Sequence, residues 1–120
     1  MQGVSVINVF NAEVIAASGT TWSKPIPLWP GFHAHSFDGV ITGDGDLTIT
    51  AYVTAYNNEV LDSTVVSAYT KTSGPETDGK FRKSLAIRAG TSIRFKVVNS
   101  DGVNNATITS DFCQTAGGRI

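Results

Sequence analysis

Residues 47–56 read Leu-Thr-Ile-Thr-Ala-Tyr-Val-Thr-Ala-Tyr, an alternation of apolar side chains with Thr and Tyr. Successive side chains of a β-strand point to opposite faces of a sheet, so this pattern predicts a half-buried antiparallel strand. The side chains predicted to face a core are Leu47, Ile49, Ala51, Val53 and Ala55. The side chains predicted to face away from it are Thr48, Thr50, Tyr52, Thr54 and Tyr56.

The same two-residue period recurs toward the C-terminus. Ile93, Phe95 and Val97 alternate with Arg94, Lys96 and Val98, and residues 106–113 alternate in the same way. Shorter strand patterns cover 4–10, 13–17, 36–42, 60–70 and 81–87. Gly, Asp and Asn clusters at 43–46 and 99–102 predict hairpin turns, and 71–80 predicts a polar loop. The residues predicted to be buried are Leu47, Ile49, Val53, Ile93, Phe95, Val97, Ile108 and Phe112.

Composition favours the same fold class. The 120 residues include 12 Val, 9 Ile and 14 Thr against 4 Leu, a balance typical of strands and not of helices. About eight short strands with regular turn signals predict an all-β protein, an antiparallel β-sandwich or jelly roll with essentially no helix. We expect a single domain over 1–120, with loose termini at 1–3 and 114–120.

Charge and cysteine content exclude several classes. The formal net charge is −1 and charged residues make up 16%, so no global field attracts nucleic acid or an anionic membrane. Cys113 is the only cysteine, which excludes an intrachain disulfide and fits a reducing compartment. The N-terminal residues lack a basic segment followed by a long apolar one, so we expect no signal peptide, and no apolar run has the length of a membrane span.

Two groups of residues have spacings that suit metals. His33 and His35 would share one face of a strand, as in the H-x-H of cupins, but no third His exists and the next Glu is Glu59. Asp44 and Asp46, with Asp38, offer oxygen ligands for Ca²⁺, but they lack an EF-hand spacing and also suit a simple turn. We therefore expect a surface pair and a turn, and neither a metal nor a cofactor.

Catalytic motifs are absent from the sequence. It contains no G-x-S-x-G, no P-loop and no G-x-G-x-x-G, and only three Glu. Cys113 is interpreted as a small buried apolar residue. We expect a protein that is not an enzyme and that has no catalytic, cofactor-binding or metal-binding residues.

The segment from Trp22 to Phe32 joins large apolar side chains to Pro25, Pro27 and Pro30. Proline cannot donate to a sheet ladder, so the segment is predicted to be an edge strand or an extended arm. Its apolar side chains have three interpretations: they cap the protein's own core, form a subunit interface, or stack on a sugar. The interface hypothesis names Trp22, Ile26, Leu28, Trp29 and Phe32.

Two further surfaces stand out. Tyr52 and Tyr56, with the threonines between them, suit contact between neighbouring subunits as well as an ordinary outer sheet face. Lys80, Arg82 and Lys83 form a basic cluster beside Phe81. This cluster is a solvated strand entry or, alternatively, a contact for an acidic partner.

The order of these elements resembles small β-sandwich structural proteins of bacteriophage virions, of the capsid decoration, cement or tail-associated type. The resemblance spans about residues 20–113. It rests on SKPIPL at 23–28, ITGDGDLTI at 41–49, AGTSIRFKV at 89–97 and NATIT at 105–109.

The resemblance implies a virion structural protein that assembles in the host cytoplasm, most simply a capsid decoration or stabilising subunit. Its partners would be its own copies in a homo-oligomer, the major capsid protein, or both, and not nucleic acid or membrane. No catalytic residue transfers, because the pattern has none. The alternative function is a carbohydrate- or receptor-binding module of the fibre or adhesin type, in which the tryptophans face solvent.

Overall fold

The computed structural model describes residues 4–28, 32, 34–54, 60–69, 80–85 and 92–115, with backbone alone over 60–69 and at Lys80. The described residues form strands and no helix, and none of them belongs to a helix long and apolar enough to cross a membrane. The strands are β1 (Val4–Ile15), β2 (Thr20–Trp22), β3 (Ile26–Pro27), β4 (Ala34–Gly43), β5 (Leu47–Thr54), β6 (Val60–Tyr69), β7 (Lys80–Leu85), β8 (Ser92–Asn99) and β9 (Ala106–Thr115).

The strands form two antiparallel sheets, which confirms the predicted all-β sandwich. Sheet I has the order β1-β9-β4-β7 and sheet II the order β2-β8-β5-β6. The short strand β3 also pairs with β8, so β2 and β3 together occupy one edge of sheet II. The nine described strands therefore fill eight strand positions, in agreement with the predicted number.

The core lies between the sheets and contains all eight side chains predicted to be buried. Four phenylalanines connect the two layers. Phe95 of sheet II stacks on Phe37 of sheet I, with ring centroids 4.0 Å apart, and also contacts Phe112 at 5.7 Å. Phe81 of β7 completes the cluster against Phe37. The two sheets are thus packed together by aromatic side chains, which bury more apolar area per residue than other side chains do.

The predicted hairpins at 43–46 and 99–102 are wrong. The strands on either side of each turn belong to different sheets: β4 and β9 to sheet I, β5 and β8 to sheet II. Both turns therefore cross from one layer to the other at the same end of the sandwich. Gly and Asp residues mark a chain reversal correctly, but they do not determine whether the following strand pairs with the preceding one.

A buried amide holds these two crossings together. The side chain of Asn99 is 1% exposed, and its Oδ1 accepts hydrogen bonds from the backbone N–H groups of Asp46 and Asp101. Its Nδ2 donates to the carbonyls of Ile15 and Asn104. The amide thus uses both donors and both acceptor positions, which satisfies a polar group that burial would otherwise penalise.

Position 45 requires glycine because its backbone lies close to the side-chain amide of Asn99. A Cβ at position 45 would lie 2.8 Å from Asn99 Nδ2 and 3.0 Å from its Oδ1. Gly43, two residues earlier, has a positive φ of 102°, a backbone conformation that residues other than glycine adopt only at an energetic cost. The glycines of the Gly-Asp-Gly-Asp turn therefore serve the inter-sheet crossing.

The C-terminal boundary differs from the expected one. Gln114 and Thr115, assigned to a loose terminus by sequence, continue β9, and Gln114 is fully buried. Its Nε2 donates to the carbonyl of Pro27, 3.1 Å away, and so ties β9 of sheet I to the proline-rich edge of sheet II. The expected loose residues 1–3 and 116–120 lie outside the described residues.

Candidate functional site

The outer face of sheet II carries a cluster of aromatic and cationic side chains, here termed the cation–aromatic surface: Trp22, Tyr52, Arg94 and Lys96. Trp22 lies on the edge strand β2, directly opposite Lys96 of β8, and Arg94 of β8 lies directly opposite Tyr52 of β5. Because Ile93, Phe95 and Val97 face the core, the two-residue period points Arg94 and Lys96 outward. Three neighbouring strands thus contribute to one surface.

Trp22 is the centre of this cluster. Its ring lies 5.2 Å from the Tyr52 ring, the Arg94 guanidinium carbon is 4.3 Å from its centroid, and Lys96 Nζ is 5.4 Å away. Both cations lie within the range of cation–π attraction, worth about 0.5–1 kcal/mol each at exposed sites. Trp22 nevertheless remains 42% exposed, the only Trp or Phe side chain among the described large hydrophobics to be so open.

The proline-rich segment forms the edge of sheet II. The backbone N–H of Ser23, a residue 8% exposed, donates to the Phe95 carbonyl, and the Ser23 Oγ accepts from the Phe95 N–H at 2.8 Å. The ladder resumes at β3, where Ile26 pairs with Ile93. An edge strand is therefore the correct one of the two predicted forms, with ladder bonds on either side of Pro25.

The other residues of the interface hypothesis have different environments. Ile26 is 5% exposed and belongs to the protein's own core, and Leu28 packs partly against that core. Phe32 is half-buried, and Trp29 lies outside the described residues. Of the described members, Trp22 is the most exposed side chain.

The predicted histidine pair is represented by His35, because His33 lies outside the described residues. The His35 ring stacks on Phe112, with centroids 6.0 Å apart and an interplanar angle of 18°. Within the described ranges, no three His, Cys, Asp or Glu side chains are grouped closely enough to hold a metal ion. Asp38 lies on the outer face of β4, on a different element from the turn that contains Asp44 and Asp46.

Asp38 belongs to a polar cluster on the outer face of sheet I. Its Oδ1 lies 3.4 Å from Nε of Arg82, a residue of the predicted basic cluster, whose side chain is 81% exposed. Asp38 Oδ2 accepts a hydrogen bond from the Ser36 hydroxyl at 3.5 Å and lies 4.0 Å from the Cys113 thiol. A surface ion pair of this kind contributes about 0–1 kcal/mol.

The prediction that Cys113 is buried is wrong. The period of β9 buries Phe112 and Gln114, so Cys113 points outward and is partly exposed beside a hollow of about 310 Å³. Partial burial, followed by the nearby charge of Asp38, raises the pKa of its thiol. A catalytic thiol needs a lowered pKa, so this environment opposes nucleophilic chemistry at Cys113.

Sequence reasoning identified Trp22 and the outward position of Tyr52 but missed Arg94 and Lys96 as their neighbours. The alternation around Phe95 does place both cations on an outer face. That this face adjoins Trp22 depends on the pairing of β2 with β8, strands separated by about 70 residues. Tyr56, the other predicted outer tyrosine, lies outside the described residues.

Comparison with known proteins identifies the fold. The sequence matches no family model and no curated protein sequence. In structure, 98% of the chain superposes on VP2 of the infectious bursal disease virus subviral particle, with a TM-score of 0.67 and 16% identity. The chain spans about one third of that protein, 33% of its length.

Two further structures share the sandwich. The SPBc2 prophage-derived protein YomS matches at a TM-score of 0.60 and 14% identity, with 96% of this chain and 95% of YomS covered. A Clostridium thermocellum xylanase fragment, the CBM22-1 and GH10 modules of Xyn10B complexed with xylohexaose, matches at 0.54 and 10% identity, covering 98% of this chain and 25% of that one. At these identities the likeness establishes a common β-sandwich fold, which viral and prophage proteins use.

Proposed function

We propose that this protein is a non-enzymatic structural subunit of a virion that decorates or stabilises a capsid by binding a repeated protein surface. The observation that carries the proposal is the superposition of nearly the whole chain on VP2 of a virus particle. YomS adds a prophage-derived protein of matching length. The partners would be the major capsid protein, further copies of this chain in a homo-oligomer, or both, and assembly would take place in the host cytoplasm.

The outer face of sheet II supports this role. A structural subunit needs an exposed surface with aromatic anchors, and Trp and Arg are enriched at the centres of protein interfaces. Trp22 and Arg94 are both present on an outer sheet face, and they are held in contact. On the outer face of sheet I, partial burial and the charge of Asp38 raise the pKa of the Cys113 thiol, which disfavours a nucleophilic role for that residue.

Co-sedimentation tests the proposal. Purified protein is mixed with shells assembled from the major capsid protein of the same genome, and the pellet is assayed for this chain after centrifugation. We expect saturable binding at a fixed ratio of this chain to the capsid subunit, with the shells gaining resistance to heat. Recovery of the chain only in the supernatant, at concentrations that saturate ordinary interfaces, would contradict a decoration role.

Carbohydrate recognition is the second candidate function. The exposed ring of Trp22 lies 5.2 Å from the ring of the half-buried Tyr52, and a sugar ring can stack on aromatic side chains arranged in this way. The xylanase fragment that shares the fold is complexed with xylohexaose. Titration of xylohexaose and of bacterial surface glycans, followed by tryptophan fluorescence, tests this candidate, since stacking on Trp22 would shift its emission.

A further inference from the structure

The cation–aromatic surface presents two positive charges and lacks a negative one among the described residues. No carboxylate in the described ranges forms an ion pair with Arg94 or Lys96. The outward residues beside them on β5 are Thr48, Thr50 and Thr54, which are neutral. We propose that this surface docks on an acidic protein surface, a patch of Asp and Glu side chains on the partner; the inference rests on the proposed structural role and names the chemistry of its partner.

The two cations are held in place before any partner binds. Arg94 and Lys96 are two residues apart on one strand, and both lie over the ring of Trp22. Long charged side chains normally lose rotamer freedom on binding, which weakens association. Contact with the indole has already restricted these two, so less freedom is lost when carboxylates meet them.

The distribution of charge over the sandwich also favours an acidic partner at this face. The described carboxylates Asp38 and Asp111 lie opposite each other on sheet I, whose outer face points away from sheet II. Among the side chains that the structure describes, no carboxylate lies beside Arg94 and Lys96 on the outer face of sheet II. Complementary charge speeds encounter and fixes orientation, and fully desolvated pairs add affinity.

The geometry favours a protein over a glycan. The Arg94 guanidinium stacks 4.3 Å from the centroid of the indole and covers a ring face that a sugar would need. An arginine held on an aromatic ring still directs N–H groups outward, and its planar fork matches a carboxylate with two parallel hydrogen bonds. Trp22 then supplies the apolar anchor next to that charge contact.

Charge reversal tests the inference. The test variant is Arg94→Glu with Lys96→Glu, and the matched control is Arg82→Glu with Lys83→Glu, which makes the same change in net charge at two exposed residues of β7 in sheet I. The probes are the capsid shells, a short poly-L-glutamate peptide and a sulfated oligosaccharide, each titrated at low and high salt. Circular dichroism melts verify that both variants are folded.

We expect the test variant to lose at least about 30-fold in affinity for shells and for poly-L-glutamate, and the control to stay within about threefold of the parent. Shell binding at parental affinity by the test variant would overturn the inference and leave the structural role intact. If the parent protein bound poly-L-glutamate but not the shells, the proposed structural role would be overturned and the inference of an acidic partner would stand. Binding of the sulfated oligosaccharide in place of the peptide would overturn the inference in favour of glycan recognition.

Discussion

The two faces of sheet II differ sharply in burial and in chemistry, although the same strands supply both. On β5 and β8 the inward side chains are 0–4% exposed and lie in the core, apart from the hydrogen-bonded Asn99 at the end of β8. The outward side chains are Thr, Tyr, Arg, Lys, Ser and Val. Tyr52 and Val53 are adjacent in sequence, yet Tyr52 belongs to the cation–aromatic surface and Val53 belongs to the core.

This difference separates stability from recognition. Burial of the inward set drives folding, at about 25 cal/mol for each Å² of apolar area removed from water. The outward set adds little to stability and is free to vary with the partner. Substitutions one residue apart on β5 or β8 should therefore give opposite phenotypes, one in folding and the other in binding.

The largest effect is expected from Val53→Asp. Val53 is 4% exposed, and an unpaired carboxylate at this position costs several kcal/mol, about as much as the whole stability of a small domain. We expect no cooperative thermal unfolding transition by circular dichroism. Thr48→Asp, on the outer face of the same strand, is the control and should fold. A cooperatively folded Val53→Asp variant would contradict the register of β5.

Next in size is Asn99→Ala, which removes the amide that joins the two crossings. Two backbone carbonyls and two backbone N–H groups lose their partner; the bond to the Ile15 carbonyl is buried and the other three are part-buried. We expect a loss of about 3 kcal/mol in the free energy of unfolding, measured by urea denaturation, because an unsatisfied buried group costs about 1–3 kcal/mol and the part-buried groups, which water can reach, cost less.

Asn8→Ala is the matched control for Asn99→Ala. The Asn8 amide makes three hydrogen bonds, to Phe10, Ser110 and Asp111, against four for Asn99, but Asn8 is an exposed residue. Water replaces those bonds, so the loss should stay below about 1 kcal/mol. Equal losses at the two positions would show that burial does not distinguish them.

Trp22→Ala should spare the fold and weaken binding. Trp22 is 42% exposed and lies outside the core, so the melting temperature should change little. Truncation of an aromatic anchor costs about 2 kcal/mol at an interface, or roughly 30-fold in Kd for capsid shells. Val103→Ala, at an 84% exposed loop position, should leave Kd unchanged. Unfolding of Trp22→Ala would instead make this side chain a structural element.

The smallest expected effect is the loss of stability at acidic pH that Asp101 causes. The carboxylate of Asp101 accepts hydrogen bonds from the backbone N–H groups of Asn104 and Val103, in that order of effect, and these lower its pKa below the ordinary 3.8. The charged form is thus favoured in the folded state, so its contribution is complete above 3.8 and is lost as pH falls through the lowered pKa.

Comparison of parent with Asp101→Asn measures this contribution. The parent should melt at the higher temperature near about pH 6, and the difference between the two should shrink toward about pH 2.5. A difference that stays constant over this range would mean that the carboxylate's charge contributes nothing to the turn.

Local pattern was sufficient to predict the buried apolar residues of β5 and β8, and Ile108 and Phe112 of β9, because side-chain alternation is a property of each strand alone. It was not sufficient to predict which strands pair. The turns at 43–46 and 99–102 have hairpin composition, but the inward faces of β4 and β9 are buried only when those strands pack across from β5 and β8. Tertiary burial decides such a choice.

The candidate site was predictable only in its separate parts. The exposure of Trp22 follows from its position on an edge strand, and the outward direction of Arg94 follows from the alternation around Phe95. Their contact requires the antiparallel register in which Trp22 lies opposite Lys96. That register depends on Ser23 and Ile26 joining β8 on either side of Pro25, which no local rule specifies.

Hydroxyl-radical footprinting of the chain free and bound to capsid shells tests the central claim most directly, that binding uses the outer face of sheet II. Oxidation of Trp22 and Tyr52 should fall several-fold in the bound state, while that of Val103, exposed at the end of the sandwich, should not change. Unchanged oxidation of Trp22 and Tyr52 together with protection of Val4 and Val6, which are exposed on β1 of sheet I, would place the contact on the opposite face and contradict the account.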